Sequence, residues 1–490
     1  MKKTTKVVGA ALAAAAVGNA IHAAVYKPEK RDVPALAKED INVERYRQNL
    51  SKAVQFKTIS YRETEKVDWK EFEKFHKFLD EAYPLIKKNL EKEIVPPANL
   101  LYRWKGKRDD LKPIAMLAHQ DVVPISSGTE QDWEHEPFSG HDDDEFIWGR
   151  GTLDMKNHLI AVMESVEALL EDGYEPERDI YLLFGDNEEV VANSENGARD
   201  LMNTLKSRGI ELDCVLDEGG AIIPINVPGV LNNKALVGVG VAEKGYADIE
   251  IVCNAKGGHS SQPPVHSALG QLSKAITRIE KHQFKASFNA NMDMLLDSIA
   301  RNATYPVRLI TCNLPLLKPI LLEGFKAIPF GACLVRTTTA VTMAQGSPAA
   351  NVLPQRASAT INFRAMPGTT KQDLVDHIRK VVKNDDMEIN ILNAKEASKF
   401  SPTDSRAFGI IKDICEALVP GAIVAPYLVM GGTDSYHYEP ICENIYRYAP
   451  FTVDVPLLRC THGTNERLPI DCIEKALIFF KNYIRSASAE

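Results

Sequence analysis

Two histidines and a set of carboxylates stand where apolar runs of this chain stop, and they are its residues best suited to chemistry. An apolar run from Ile114 to Ala118 delivers His119 and, two residues later, Asp121. Side chains alternate along a strand, so both leave its end on the same side. An imidazole beside a carboxylate suits a metal ligand whose second ring nitrogen is steered by that carboxylate. Asp154 follows Gly-Arg-Gly-Thr-Leu, Glu188 and Glu189 follow the run ending at Phe184, Asp217 follows Cys-Val-Leu, and His462 lies in Cys460-Thr-His-Gly-Thr-Asn-Glu466. Singly, each has an ordinary reading: a helix N-cap for Asp154, a solvated loop for the Glu pair, a turn residue for Asp217 and a surface position for His462. Gathered at one sheet edge, they make a costly negative pocket unless cations neutralise it. Mixed imidazole and carboxylate donors suit zinc, with cobalt or manganese as substitutes. Two metals bridged by one carboxylate and one water leave a further carboxylate free to act as a base. An adjacent pair such as Glu188-Glu189 can supply one ligand and one base.

Periodicity says which elements must position these groups. Helical spacing predicts helices within Val43 to Ile59 and from Trp69 to Leu79, and strands follow at Leu100 to Trp104 and Ile114 to Ala118. Asp154 opens the clearest helix, whose apolar stripe runs through Leu159, Val162, Met163, Val166, Leu169 and Leu170 until Gly173 ends it. Strands at Ile180 to Phe184 and Cys214 to Leu216 then alternate with a helix around Ala198 to Ser207, which predicts an α/β sheet covered by helices on both faces. Ligands of such sheets gather at the carboxyl ends of the strands. From Lys244 the order becomes β-α-β-β-α-β, similar to a ferredoxin-like split unit. Helix and strand resume at Phe408 to Leu418 and Ile423 to Val429, and a long helix, Ile470 to Ile484, closes the chain. The expected architecture is a catalytic α/β domain (residues 41–243 and 399–490) interrupted by an inserted domain (244–398). The greasy stretch from Leu314 to Phe330 reads as a core or dimer contact, with the wall of an acyl-chain channel as the sharper alternative.

Bulk properties narrow the class. A chain of 490 residues exceeds a single core, so two or three domains are expected. A net charge of -8 argues against non-specific nucleic-acid binding. Eight cysteines without a C-x-x-C pair argue against a thiolate zinc site; several, such as Cys214 and Cys253, lie in apolar runs and read as buried free thiols, while the even count permits disulfides that nothing in the spacing asks for. Lys2, Lys3 and Lys6 precede an apolar run from Val7 that ends near Val25, the layout of a secretory signal or membrane anchor, and residues 26–40 read as a linker. Export or membrane attachment is therefore expected.

Six motifs occur in order: His119-Gln-Asp-Val-Val-Pro, Trp148-Gly-Arg-Gly-Thr-Leu-Asp-Met-Lys156, Asn187-Glu-Glu189, Asp217-Glu-Gly219, Gly257-Gly-His-Ser260 and His462-Gly-Thr-Asn-Glu-Arg467. From about residue 40 onward the chain resembles the dizinc metallopeptidase family of aminoacylase and glutamate carboxypeptidase, most of all its carboxypeptidase S and secreted N-acyl-amino-acid hydrolase branch. The resemblance implies two Zn2+ per subunit: His119 and Asp217 on one, Glu189 and His462 on the other, Asp154 bridging. It implies Glu188 as general base, Asp121 as the partner of His119, and an inserted lid that mediates homodimerisation. His259 on that lid would steady the tetrahedral intermediate, reaching across the dimer. Arg364, Asn351, Gly432 and Thr433 fall where the family holds the substrate's carboxylate. The implied reaction is hydrolysis of a small peptide or N-acyl amino acid, by a carboxypeptidase, dipeptidase or deacylase. A catalytically silent binding protein on the same fold is the alternative. Asn187, the run Val190-Val-Ala192 and Asn157-His158 depart from the family pattern without removing a ligand. His158 and His437 read as non-ligands.

Overall fold

The computed structural model describes residues 16–190 and 196–490. Its larger sheet has nine strands, six of them in the order Asn99–Trp104, Ile180–Gly185, Ile114–His119, Cys214–Asp217, Ile445–Arg447 and Leu231–Glu243. The central strand Ile114–His119 runs parallel to both neighbours, which brings its carboxyl end level with theirs. Antiparallel strands at Glu91–Val95 and Asn99–Trp104 flank one side, so the sheet is mixed. Alternation along the central strand serves two cores. Ile114, Met116 and Ala118 face a core shared with helices Val43–Val54, Lys156–Glu171 and Ile473–Ser488, while Ala115 and Leu117 face helix Gly197–Ser207. The expected sandwich of helices about a sheet is present.

The second sheet has four antiparallel strands ordered Thr338–Gln345, Arg356–Ala365, Gly245–Asn254 and Glu388–Lys395. Helices Ala268–Lys281 and Lys371–Val382 cover one face, burying Ile249, Ile251, Leu272, Ile361 and Ile378. This is the ferredoxin-like order, second-third-first-fourth. The chain leaves the large sheet at Glu243 and comes back beside it at Ser398, whose amide donates to the Glu243 carbonyl at 3.1 Å and whose hydroxyl accepts from the Glu243 amide at 2.7 Å. The Glu243 carboxylate is buried and takes Arg447 at 2.8 Å, Lys395 at 3.0 Å and the Thr433 amide at 2.8 Å. One glutamate therefore joins both sheets and the turn at Gly431 to Asp434.

Two expectations change, and the β-α-β-β-α-β order gains an insertion. The stretch between the second sheet's first helix and second strand contains four helices, Ala290–Asn302, Tyr305–Thr311, Leu314–Ala327 and Pro329–Val335. The greasy segment is not core: in Leu314–Ala327 only Leu314 is buried. Asp154 is not a helix cap, because the helix begins at Lys156 and Asp154 sits in the preceding turn. All eight cysteines are free thiols. Of the N-terminal apolar segment, residues 1–15 lie outside the described residues, as do Val191 and Ala192. Among the described residues no helix is long and apolar enough to cross a membrane.

Candidate metal centre

His119 ends the central strand fully buried, with its ring held from both sides. Its Nδ1 lies 2.9 Å from the Asp121 main-chain oxygen and 3.4 Å from that residue's carboxylate, and its Nε2 lies 3.0 Å from Asp154 Oδ1. The other oxygen of Asp154 lies 3.0 Å from His462 Nε2, which is also 3.0 Å from Glu189 Oε1. One carboxylate thus stands between two imidazoles. The Asp121 carboxylate holds His119 only in part: it also accepts the amides of Glu188 and Glu189, each at 3.1 Å, and the Ser60 hydroxyl. It positions the glutamate pair as much as the histidine.

Asp154 is presented by the turn from Gly149, and that turn is built around Glu466. This fully buried carboxylate accepts the amides of Gly151 and Leu153 at 2.9 Å each, that of Asp154 at 3.3 Å, and the Arg150 guanidinium. Gly151 adopts φ +94°, and a Cβ there would stand 2.9 Å from Val122, so the turn requires glycine. His462 takes φ +60° in the loop leading to Glu466, so that one loop both braces and faces Asp154.

The carboxylate after the strand Cys214–Asp217 requires a correction. Asp217 is buried, but its oxygens accept the amides of Ser435 at 2.8 Å and Glu218 at 2.9 Å, tying down the turn at Thr433. The neighbouring Glu218 is the one that faces His119, with Oε1 3.5 Å from Nε2. Two groups of potential ligand atoms lie within 4.8 Å of one another: His119, Glu188 and Glu218, and His119, Asp154 and Glu189. Asp217 belongs to neither. Sequence reading passed over Glu218 because the aspartate before it already stood at the strand's end.

Electrostatics explain why such a set fits divalent cations. Burial, aided by neighbouring carboxylates, pushes Glu188 well above the usual range, Glu189 up to about 7 and Glu218 up to about 8. Burial works against a charged His119, yet Glu218, Asp121 and Asp154 outweigh it and raise its pKa well above normal. Donating its ring N–H to the Asp154 and Glu189 carboxylates lifts His462 to about 10. Protons therefore do here what positive ions would do better: satisfy crowded, desolvated oxygens. Imidazole and carboxylate donors in this number match zinc-type ligation. His158 is buried edge-on against Phe480, and His437 packs on the Tyr436 ring in the wall of a neighbouring cavity.

A cavity of about 280 Å³ opens beside Glu188 and carries Arg364, Gly432, Thr433 and Asp434 on its walls, together with Lys244 and Lys395. Arg364 lies over the Tyr246 ring at 4.8 Å and has no carboxylate partner among the described residues. Lys244, which the sequence reading missed, donates to the main-chain oxygens of Cys333 and Arg336 at 2.9 Å each. His259 and Asn351 are not part of this cavity. Both are exposed and line a separate hollow on the small sheet, where the Ser260 amide donates to the Asn351 oxygen at 3.1 Å. Asn187, where the family pattern differs, accepts the Gly197 amide at 2.8 Å at the start of the next helix.

Residues 115–486 match the description of peptidase family M20/M25/M40. Probable carboxypeptidase S-like 2 of Dictyostelium discoideum is 38% identical over 445 residues, covering 90% of this chain and 84% of that protein. Human N-fatty-acyl-amino acid synthase/hydrolase PM20D1 is 31% identical over 90% of this chain and 87% of its own. Carboxypeptidase S of Saccharomyces cerevisiae is 31% identical over 85% of this chain and 78% of its own. Among solved structures, the M20 family metallo-carboxypeptidase Sso-CP2 from Sulfolobus solfataricus superposes with a TM-score of 0.62 at 16% identity, over 90% of this chain and 99% of that one. The shared fold, the ordered motifs and the buried donor set at the strand ends agree: the chain belongs to peptidase family M20/M25/M40 and is a metallohydrolase.

Proposed function

We propose that this protein hydrolyses the amide bond of a small peptide or N-acyl amino acid that ends in a free carboxylate, using two zinc ions. The observation that carries this reading is the Asp154 carboxylate set between His119 and His462, in a cluster whose Glu188 lines a cavity that also carries Arg364. His119 and Glu218 would hold one cation, Glu189 and His462 the other, and Asp154 both. When bound, the ions acidify water and draw charge from the carbonyl. Glu188, in the same cluster and lining the cavity, would be the proton carrier: its burial favours the protonated form, so its carboxylate would take a proton from water and give it to the leaving nitrogen. Arg364 offers a two-pronged grip on the substrate's carboxylate, and Thr433 and Gly432 border the same cavity.

His259 and Asn351, remote from Glu188 in one chain, fit a homodimer in which the lid (residues 244–398) of one subunit completes the site of the other. The named relatives span carboxypeptidases and N-fatty-acyl-amino acid hydrolases, and both substrate kinds present a carboxylate next to the scissile amide. The test is hydrolysis of Gly-Leu, acetyl-Met and oleoyl-Phe, with and without chelator, alongside the matching carboxamides. Loss of rate on chelation, its return with zinc, and poor turnover of carboxamides are expected. Chelator-insensitive hydrolysis, or equal rates on carboxamides, would overturn it. A silent binding protein would bind these ligands without turnover.

A further inference from the structure

The four helices between Ala290 and Val335 belong to the core of neither sheet. The first of them packs along Ile423–Val429, the edge strand of the large sheet. The third, Leu314–Ala327, has the sequence LPLLKPILLEGFKA and buries only its first residue. Leu316 is 78% exposed, Ile320 71%, and beyond the helix Ile328 is 55% and Phe330 64% exposed. Contiguous exposed apolar surface of this kind marks a contact with another apolar body.

A second apolar element ends at the same place. Residues 16–25 form a helical segment that is fastened to these helices: Asn19 donates to the Leu309 oxygen at 2.8 Å, Arg308 to the Ala23 oxygen at 3.1 Å, and the Arg301 guanidinium lies 4.5 Å over the Tyr26 ring. Ala23 and Tyr26 are buried there with Ala300 and Cys312. Val17, Ile21 and Val25 of that segment stay exposed. The sequence that leads into it, Val7 to Val17, is uninterruptedly apolar. Three of the four cations of these helices are matched with acids, Lys318 with Asp293 at 2.8 Å, Lys326 with Glu323 at 2.8 Å and Arg301 with Asp297 at 2.6 Å, and the fourth, Arg308, is spent on the main-chain oxygens of Ala23 and Ala303. A second copy or a soluble protein would account for the exposed helix. Neither accounts for an apolar N-terminal run delivered to the same helices.

We propose that the helices Ala290–Val335 are a bilayer-contact surface, which works with the N-terminal segment to seat the protein on a membrane by shallow apolar insertion. Because the cations of these helices are engaged within the protein, their part of the contact relies on buried apolar area more than on anionic headgroups. Its last helix, Pro329–Val335, holds Lys244 through the Cys333 oxygen, and Lys244 lines the cavity with Glu188 and Arg364. A membrane-dissolved amphiphile would thus meet the cavity from the insert's side. That final step rests on the amide-hydrolase reading; the membrane contact does not.

The test is flotation of the full chain with phosphatidylcholine vesicles, compared with the triple variant Leu316→Ser, Ile320→Ser, Phe330→Ser. The parent should float, and the variant should partition at least about tenfold more weakly, since each side chain loses part of its apolar burial. Adding phosphatidylserine should change the parent's partitioning little. An unchanged melting temperature certifies the triple variant; should it melt early, Leu316→Ser alone, at the most exposed position, is read in its place and should weaken binding several-fold. Equal flotation of parent and variant would overturn the proposal. So would a parent that ignores vesicles, or one that forms a dimer in solution which the variant abolishes.

Discussion

Replacing Glu466 tests whether a single buried carboxylate holds the turn that presents Asp154. In Glu466→Ala the amides of Gly151, Leu153 and Asp154 lose their common acceptor, and Arg150, 2% exposed, keeps only the Trp133 ring at 5.4 Å and loses its counter-ion. Removing one partner of a buried pair costs about 3–5 kcal/mol, because the other charge is left desolvated. Glu466→Gln keeps an acceptor for the amides and loses the ionic half, which sets its cost at about 1–3 kcal/mol. The double variant Arg150→Met, Glu466→Gln should recover part of that loss, since no unpaired cation remains. The readouts are the urea midpoint of chelator-treated protein and zinc retained per chain after dialysis. Glu466→Ala should lower both, and Glu466→Gln should lower the midpoint with most of the metal kept. If Glu466→Ala shifts the midpoint by less than about 1 kcal/mol-equivalent and keeps its zinc, the turn is held by something else and the reasoning fails.

Glu188→Gln should bind zinc as the parent does and lose about 10²–10⁴ in rate, measured at saturating acetyl-Met; near-parental turnover would remove Glu188 as the proton carrier. Glu218→Gln should lose one bound zinc per chain by elemental analysis, whereas Asp217→Asn should keep both and instead lower thermal stability; the opposite pattern would restore Asp217 as the ligand. In the cation-free protein Glu189 and Glu218 titrate near 7 and 8 against an ordinary 4.5, so the native state holds more protons than the unfolded chain between those values. The chelator-treated protein should therefore lose stability as pH rises from about 5 to 8, while zinc affinity climbs over the same window as those protons leave. A melting temperature that rises with pH across it would contradict this.

How much of this could be read beforehand varied with the kind of information each feature needs. His119 was legible because an apolar run followed by a polar residue marks a strand's end without any knowledge of its neighbours. Glu218 was not, because choosing between it and Asp217 requires inter-strand register. Leu216 pairs with Met116, which leaves Asp217 below the sheet edge that His119 reaches. The small sheet was legible from element order alone. The strand Leu231–Glu243 was missed: glycines at Gly238 and Gly240 weaken its pattern, and they are needed where Tyr427, Val429 and Arg447 pack close. The helices Ala290–Val335 gave no amphipathic signature to find, since apolar residues fall on the outer face of Leu314–Ala327 as well as the inner. Glu466 was quoted within a motif, yet its three amide partners lie more than 300 residues away in sequence.

The tie at Glu243 has a mechanical meaning. Both crossings between the sheets meet at this residue, so a lid that opens or closes would turn about it, with Arg447 fixing the glutamate on one side and Lys395 swinging on the other. Arg364 and Lys395 travel with the small sheet, while Glu188 and Asp154 stay with the large one. The gap between Arg364, proposed to grip a carboxylate, and Glu188, proposed to move a proton, would then depend on one rotation. Such an enzyme would measure the length of its substrate as an angle.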